Sequence, residues 1–175
     1  MKRTNKLFYF MAITLIALLG FSMTACDEDT LDNIVGIMNF AGTWHSDGLI
    51  TEVYWFDGAG VYQYGWYSSL DGMYLWFMRG NYNVNSGNLI ISATHFGTAT
   101  LSLYSIGNPE AFAGVDFEED KMWSESDIRA IGNDPYITTV ANALRDAPPD
   151  SYSFVFNNSN TFTLTNSTNV VYTKQ

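Results

Sequence analysis

From Phe40 onward the chain consists of short aromatic-rich runs separated by clusters of glycine, asparagine and aspartate. Residues 49–57 (LITEVYWFD) and 60–68 (GVYQYGWYS) flank the turn 57–60 (DGAG), whose glycines tolerate the positive φ of tight hairpins. Runs of this length, with turn residues at regular intervals, are typical of antiparallel strands. The pattern therefore predicts an all-β chain built from sequential hairpins.

The remaining predicted strands follow the same rule. Residues 73–84 and 88–94 form a second hairpin across 85–87 (NSG), and residues 99–106 (ATLSLYSI) are predicted to continue the meander as a strand. Alternating apolar residues predict three further strands near the C-terminus, at residues 152–156, 162–164 and 170–172. Eight to nine strands in this order predict an antiparallel up-and-down β-barrel, because closure removes exposed sheet edges.

The segment 110–149 interrupts this pattern and is predicted to hold one or two short helices. Ser124 precedes acidic residues that suit the positive end of a helix dipole. A second helix is predicted to begin at Pro135, with apolar residues at helical spacing, and to end before Pro148.

The N-terminus has the organisation of a bacterial export signal. Three cations within the first six residues precede an apolar stretch at residues 7–21, which is short for a membrane-spanning helix of about 20 residues. The stretch leads to residues 23–26 (MTAC), which end in Cys26, the single cysteine of the chain. This tetrapeptide resembles the lipobox of bacterial lipoproteins: an aliphatic residue, two small residues and cysteine.

The resemblance implies that residues 1–25 are a signal peptide and that Cys26 carries a covalent diacylglycerol and an N-acyl chain such as palmitate. Residues 26–37 would form an acylated tether, and residues 38–175 the β-barrel domain. We expect the domain in the cell envelope, in the periplasm or on the cell surface, with the acyl chains in a bacterial membrane. The outer membrane is expected ahead of the inner one.

The net charge of this domain limits the kinds of molecule that it can bind. Loss of the signal peptide leaves five cations against eighteen acids, which disfavours nucleic acid as a partner. With its one thiol acylated, the domain has no disulfide and depends on its core for stability. We expect a monomer without a metal or any cofactor beyond the acyl chains.

Several short motifs resemble small bacterial lipocalin-like domains of the calycin group. They are a Gly-x-Trp at residues 42–44 (GTW), the turn at 56–60 (FDGAG), residues 79–84 (RGNYNV) and 87–91 (GNLII), and the C-terminal runs 160–164 (NTFTL) and 171–174 (VYTK). The resemblance implies that Trp44 closes one end of the barrel. A cation often packs over this tryptophan in the family; Lys174 and Arg79 are both candidates.

Aromatic side chains concentrated in the first two hairpins are the candidate ligand-binding residues. Strand alternation places Tyr62, Tyr64 and Trp66 on one face of their strand, and Tyr74 and Trp76 on one face of the next. Such rings suit a cavity for a small apolar or amphipathic ligand. The alternative is that one face fills the core while the other packs against the inserted segment.

No catalytic motif stands out, so the sequence favours a non-catalytic, membrane-anchored protein that binds a small ligand in a barrel cavity. The alternative function is an envelope interaction module, an inhibitor or assembly factor, that uses an exposed aromatic sheet face to bind a protein or glycan. A contiguous aromatic patch on the surface would favour this alternative.

Overall fold

A computed structural model describes residues 35–46, 50–165 and 169–175 of the chain. The predicted signal peptide, the predicted acylation site at Cys26 and most of the predicted tether lie outside these residues. The described chain begins with a helical segment at residues 35–40, which leads directly into the first strand.

Within the described residues, nine strands and three helices follow this segment. The strands are β1 Gly42–Ser46, β2 Thr51–Phe56, β3 Val61–Tyr67, β4 Tyr74–Asn85, β5 Asn88–Gly97, β6 Met122–Ser124, β7 Asp150–Asn158, β8 Thr161–Leu164 and β9 Val170–Lys174. The helices are α1 Thr98–Gly107, α2 Glu125–Ile131 and α3 Pro135–Arg145.

Eight of the strands close into an antiparallel barrel. Neighbours in the barrel follow the chain order β1, β2, β3, β4, β5, β7, β8, β9, and β9 pairs with β1 through the register Trp44↔Lys174. β6 is the additional strand, and it pairs with the C-terminal part of β5 while β7 pairs with the N-terminal part. The predicted all-β up-and-down barrel with short inserted helices is confirmed.

The segment between β5 and β7 contains all three labelled helices, and two of them begin as the sequence predicts. Ser124 caps α2 through a capping box with Asp127, and Asp134 caps α3, with Pro135 in its first turn. Among the residues that the structure describes, no helix is both long and apolar enough to cross a bilayer.

The strand predicted at residues 99–106 is wrong, because these residues form α1. One edge of β5 pairs with β4, and the other is shared by β6 and β7, so a strand at this position would find no free edge of β5. As a helix, α1 buries Leu101 completely, and Thr100 Oγ1 donates a hydrogen bond to the Phe77 carbonyl. Tertiary pairing therefore overrides the local alternation.

The helices pack around a second apolar core outside the barrel interior. Its buried members come from the end of β5, from β6, from the three helices and from the loop between α1 and β6. They are Phe96, Leu101, Phe112, Trp123, Ile128, Ile137, Val140, Ala141 and Leu144. This insert is thus a helical layer attached to the outer side of the barrel.

The barrel interior is filled with aromatic rings at the end where the chain enters. Phe40, from the helical segment, and Trp44, from β1, are both fully buried there. Trp44 Nε1 donates a hydrogen bond of 2.6 Å to the Phe40 carbonyl, and Tyr82 Oη donates one of 2.9 Å to the Ile37 carbonyl. Segment 35–40 therefore closes this end of the barrel.

Lys174 is the cation that lies over Trp44, with Nζ 5.3 Å from the ring centroid. Gly42 makes room for it: a Cβ at this position would lie 2.6 Å from Lys174 Cε, and the φ of +126° suits only glycine. Arg79 instead lies on β4 opposite Gln63 and His95. The Gly-x-Trp motif thus has a physical explanation in the cation that packs across it.

Candidate ligand-binding cavity

A cavity of about 270 Å³ occupies the barrel interior toward the opposite end from Phe40. Its walls come from seven of the eight barrel strands and combine tyrosine rings, aliphatic side chains and two carboxylates. The lining residues are Glu52, Tyr54, Tyr64, Met78, Ile91, Asp150, Tyr152, Leu164, Val170 and Tyr172. A space of this size at a barrel mouth suits a compact organic molecule.

Strand register explains why the first of these side chains converge. Glu52, Tyr54 and Phe56 alternate along β2, and Tyr54 lies opposite Tyr64 of β3. The two rings lie 4.9 Å apart between centroids, and Tyr172 of β9 meets Tyr54 edge-on at 5.4 Å. The tyrosines thus stand on different strands with their rings turned toward one another.

Glu52 is held in place by two tyrosine hydroxyls. Tyr172 Oη donates to Glu52 Oε2 at 2.8 Å, and Tyr64 Oη donates to Glu52 Oε1 at 3.2 Å. The Glu52 backbone N–H also donates to Ser46 Oγ at 2.8 Å. The carboxylate is therefore fixed in orientation, with one tyrosine on each oxygen.

The cavity tyrosines keep their protons at neutral pH. Burial raises the pKa of Tyr64 to about 12, and the nearby Glu52 charge adds to that rise. The pKa values of Tyr54 and Tyr172 are also raised, first by burial and then by neighbouring tyrosines and Glu52. Tyr152 has its pKa raised by burial and by Asp150. These hydroxyls therefore act as neutral hydrogen-bonding groups.

The lining is acidic. Among the lining residues that the structure describes, Glu52 and Asp150 are the carboxylates, and none is a lysine, arginine or histidine. Within the described ranges 35–46, 50–165 and 169–175, no cluster of three or more histidine, cysteine or acidic residues is placed to hold a metal.

Of the predicted ligand-binding residues on β3, Tyr64 lines the cavity. Tyr62 points into the same interior but is fully buried in the barrel core, below the space that a ligand can enter. Trp66 follows at the mouth, opposite Glu52, where it is 38% exposed and packs edge-on against Phe77. The three side chains share a face as predicted, at three depths.

Tyr74 and Trp76 are separated from that group by a β-bulge. The register of β3 with β4 shifts at Tyr64/Gly65, so Met78 pairs with Tyr64 while Trp76 pairs with Gly65. The shift turns Tyr74 and Trp76 to the outer face of the barrel. There their rings stack on each other at 5.4 Å, with Tyr67 and His45 beside Tyr74.

The other polar groups of the cavity could not be predicted from the sequence. Glu52, Tyr54, Asp150, Tyr152 and Tyr172 come from three strands distant in sequence, and none belongs to a recognisable motif. The one local signal is the inward alternation of Glu52 with Tyr54, since a carboxylate on the interior face of a strand is uncommon. Pairing it with Tyr172 required the closed barrel.

The tip of the β3–β4 hairpin is apolar and exposed. Leu70 in the connecting loop is 98% exposed, and Ile50, Met73 and Leu75 nearby are each about half exposed. Singly exposed apolar residues are ordinary, but several on one hairpin form a surface that can contact another molecule.

Taken together, the closed barrel and the cavity define a class: a small antiparallel β-barrel with one filled end and one open end, consistent with a lipocalin-like fold. Comparisons with protein-family models, with curated proteins and with solved structures gave no match.

Proposed function

We propose that this protein is a membrane-anchored lipoprotein of the bacterial envelope that binds a small amphipathic ligand, without catalysis, at the open end of its barrel. The observation that carries the proposal is the cavity of about 270 Å³, which combines aliphatic walls with tyrosine hydroxyls and a fixed carboxylate. Pockets of this mixed character bind ligands that have an apolar body and a polar group.

The position of the anchor supports access to this cavity from water. Cys26 precedes residues 35–40, which close the opposite end of the barrel from the cavity. A tether attached at the closed end leaves the mouth free to turn away from the bilayer. The proposed ligand is accordingly a molecule taken up from the aqueous envelope space.

Filling the cavity tests the ligand-binding proposal. Val170→Trp places an indole in the cavity, whereas Val171→Trp changes the adjacent residue, which is 37% exposed on the other face of β9. We expect native mass spectrometry of protein from its own envelope to show a non-covalent small-molecule adduct. The adduct should persist in Val171→Trp and disappear in Val170→Trp.

Two outcomes would contradict this proposal. An adduct that survives Val170→Trp would place the ligand elsewhere. A stoichiometric protein partner without any small molecule would favour the second candidate, an interaction module for an envelope protein. The apolar tip of the β3–β4 hairpin, with Leu70 at 98% exposure, is the observation that favours this candidate.

The anchor has its own test. Cys26→Ser removes the acceptor of the proposed thioether, so the protein should move from the membrane fraction to the soluble fraction and lose labelling by a palmitate analogue. Several acyl chains at about 0.8 kcal/mol per buried methylene account for the retention expected of the unmodified sequence. Thr30→Ser, in the tether, is the control and should stay in the membrane. Retention of Cys26→Ser would disprove acylation as the anchor.

A further inference from the structure

We propose that the ligand of the barrel cavity is a compact organic ammonium ion. This inference rests on the proposed ligand-binding function and adds to it the chemical class of the ligand. Three features of the cavity support it: its charge, its balance of hydrogen-bond donors and acceptors, and its tyrosine rings.

The charge of the cavity opposes an anion and favours a cation. Glu52 and Asp150 both line the space, and the described part of the lining includes no basic side chain that would balance them. Lys174, on β9 with Tyr172, lies at the closed end over Trp44. A ligand with a carboxylate or phosphate would therefore bring like charges together in a partly buried site. An ammonium group would compensate Glu52.

The hydrogen bonds already present leave the cavity rich in acceptors. Tyr64 and Tyr172 both donate their hydroxyl hydrogens to Glu52, so neither hydroxyl can donate a hydrogen bond to a ligand. A carboxylate has about four lone-pair sites, so Glu52 keeps acceptor capacity after these two bonds, and each tyrosine oxygen can accept in turn. A ligand that donates several hydrogen bonds matches this arrangement, and an ammonium N–H is such a donor.

The tyrosine rings add a second attraction for a cation. Tyr54 lies between Tyr64 and Tyr172, at centroid distances of 4.9 and 5.4 Å, with the Tyr64 ring tilted by 42° and the Tyr172 ring by 72°. Rings at these angles present faces as well as edges to the space they enclose. The face of a tyrosine ring attracts a cation through its quadrupole, and more strongly where water is excluded. Met78, Ile91 and Leu164 supply apolar wall for the body of the ligand.

A matched series of compounds tests the charge preference directly. Phenethylamine, 2-phenylethanol and phenylacetate share a phenyl body and carry a positive, neutral or negative polar group. In calorimetric titrations we expect phenethylamine to bind at least about tenfold more tightly than 2-phenylethanol. Phenylacetate should bind more weakly than either. Benzyltrimethylammonium, a quaternary cation, should also bind more tightly than the alcohol.

Charge removal at Glu52 identifies the residue responsible. Glu52→Gln keeps the shape of the side chain and its ability to accept from a tyrosine, but it removes the charge. We expect it to weaken phenethylamine binding about tenfold and to leave 2-phenylethanol binding nearly unchanged. Glu119→Gln removes one charge from an exposed loop and should behave like the wild type. If Glu52→Gln does not fold by circular dichroism, Asp150→Asn, at the exposed start of β7, takes its place, with an expected loss of about threefold.

The outcomes separate the two proposals. Binding of 2-phenylethanol or phenylacetate as tightly as phenethylamine, abolished by Val170→Trp, would overturn the ammonium assignment and leave the cavity function standing. An equal loss of amine and alcohol binding in Glu52→Gln would likewise overturn the assignment of charge recognition to Glu52. Absence of binding by all four compounds, together with no adduct on the protein from its envelope, would overturn both proposals.

Discussion

Replacing Phe40 by alanine should lower the free energy of unfolding by about 3–5 kcal/mol, measured by urea unfolding followed by tryptophan fluorescence. Phe40 is 0% exposed, although it precedes the first strand and belongs to a short helical segment. Its ring meets four other phenylalanines of the interior: Phe154 at 4.8 Å, Phe156 at 4.9 Å, Phe162 at 5.1 Å and Phe56 at 5.3 Å. Alanine would leave a cavity among rigid rings, which have little freedom to collapse into it.

Met38→Ala is the matched control, since it truncates a side chain of the same segment that is 63% exposed. Its effect should stay within about 0.5 kcal/mol. A loss of less than about 1 kcal/mol in Phe40→Ala would show that the segment contributes little to closing the barrel.

Gly80→Ala should lower the free energy of unfolding by about 3 kcal/mol. Here the cause is steric overlap of the added methyl group with its neighbours, not a cavity as in Phe40→Ala. A Cβ at Gly80 would collide with the Ser92 carbonyl oxygen, and the Ser92 carbon and Ala93 Cα lie directly behind it. All of these are backbone atoms of β5, at the point where the β4–β5 register shifts between Arg79 and Gly80. Because backbone cannot rotate away, the two strands would have to separate.

Gly132→Ala provides the control for this substitution. No heavy atom lies within 4 Å of the Cβ position at Gly132, and its φ of 168° is extended backbone open to any residue. Its urea midpoint should match that of the wild type, while the midpoint of Gly80→Ala falls. Equal midpoints for the two variants would contradict the close approach of β4 and β5.

Local sequence signals predicted most of the barrel, because hairpins form between neighbours. The 57–60 turn joins β2 to β3, and the Asp57 side chain accepts from the Ala59 and Val61 N–H groups. The same locality explains the start of α2 at Ser124, where the capping box is contained within four residues. The strand predicted at residues 99–106 was wrong because a strand also needs a free edge to pair with, and β4, β6 and β7 already occupy both edges of β5.

The candidate site was harder to predict from the sequence than the fold was. Tyr64 was predicted from the density of aromatic residues, but the same reasoning placed Tyr74 and Trp76 with it. Alternation predicts a shared face only while the register is unbroken, and the bulge at Tyr64/Gly65 has no strong sequence signal beyond its glycine. A single inserted residue was enough to move two of the predicted rings to the outer surface.

The sequence by itself determined the eight barrel strands and their order along the chain, because turn chemistry and side-chain alternation act over a few residues. The sequence also contains the Gly-x-Trp motif, but it left both Lys174 and Arg79 as candidates for the cation over Trp44. The pairing of β9 with β1 places Lys174 there. The tertiary structure alone decided the cavity. Tyr172 and Glu52 are 120 residues apart in the chain, and their hydrogen bond exists because closure brings β9 and β2 to the two sides of β1. Contacts of that range depend on the closed barrel, which no local pattern encodes.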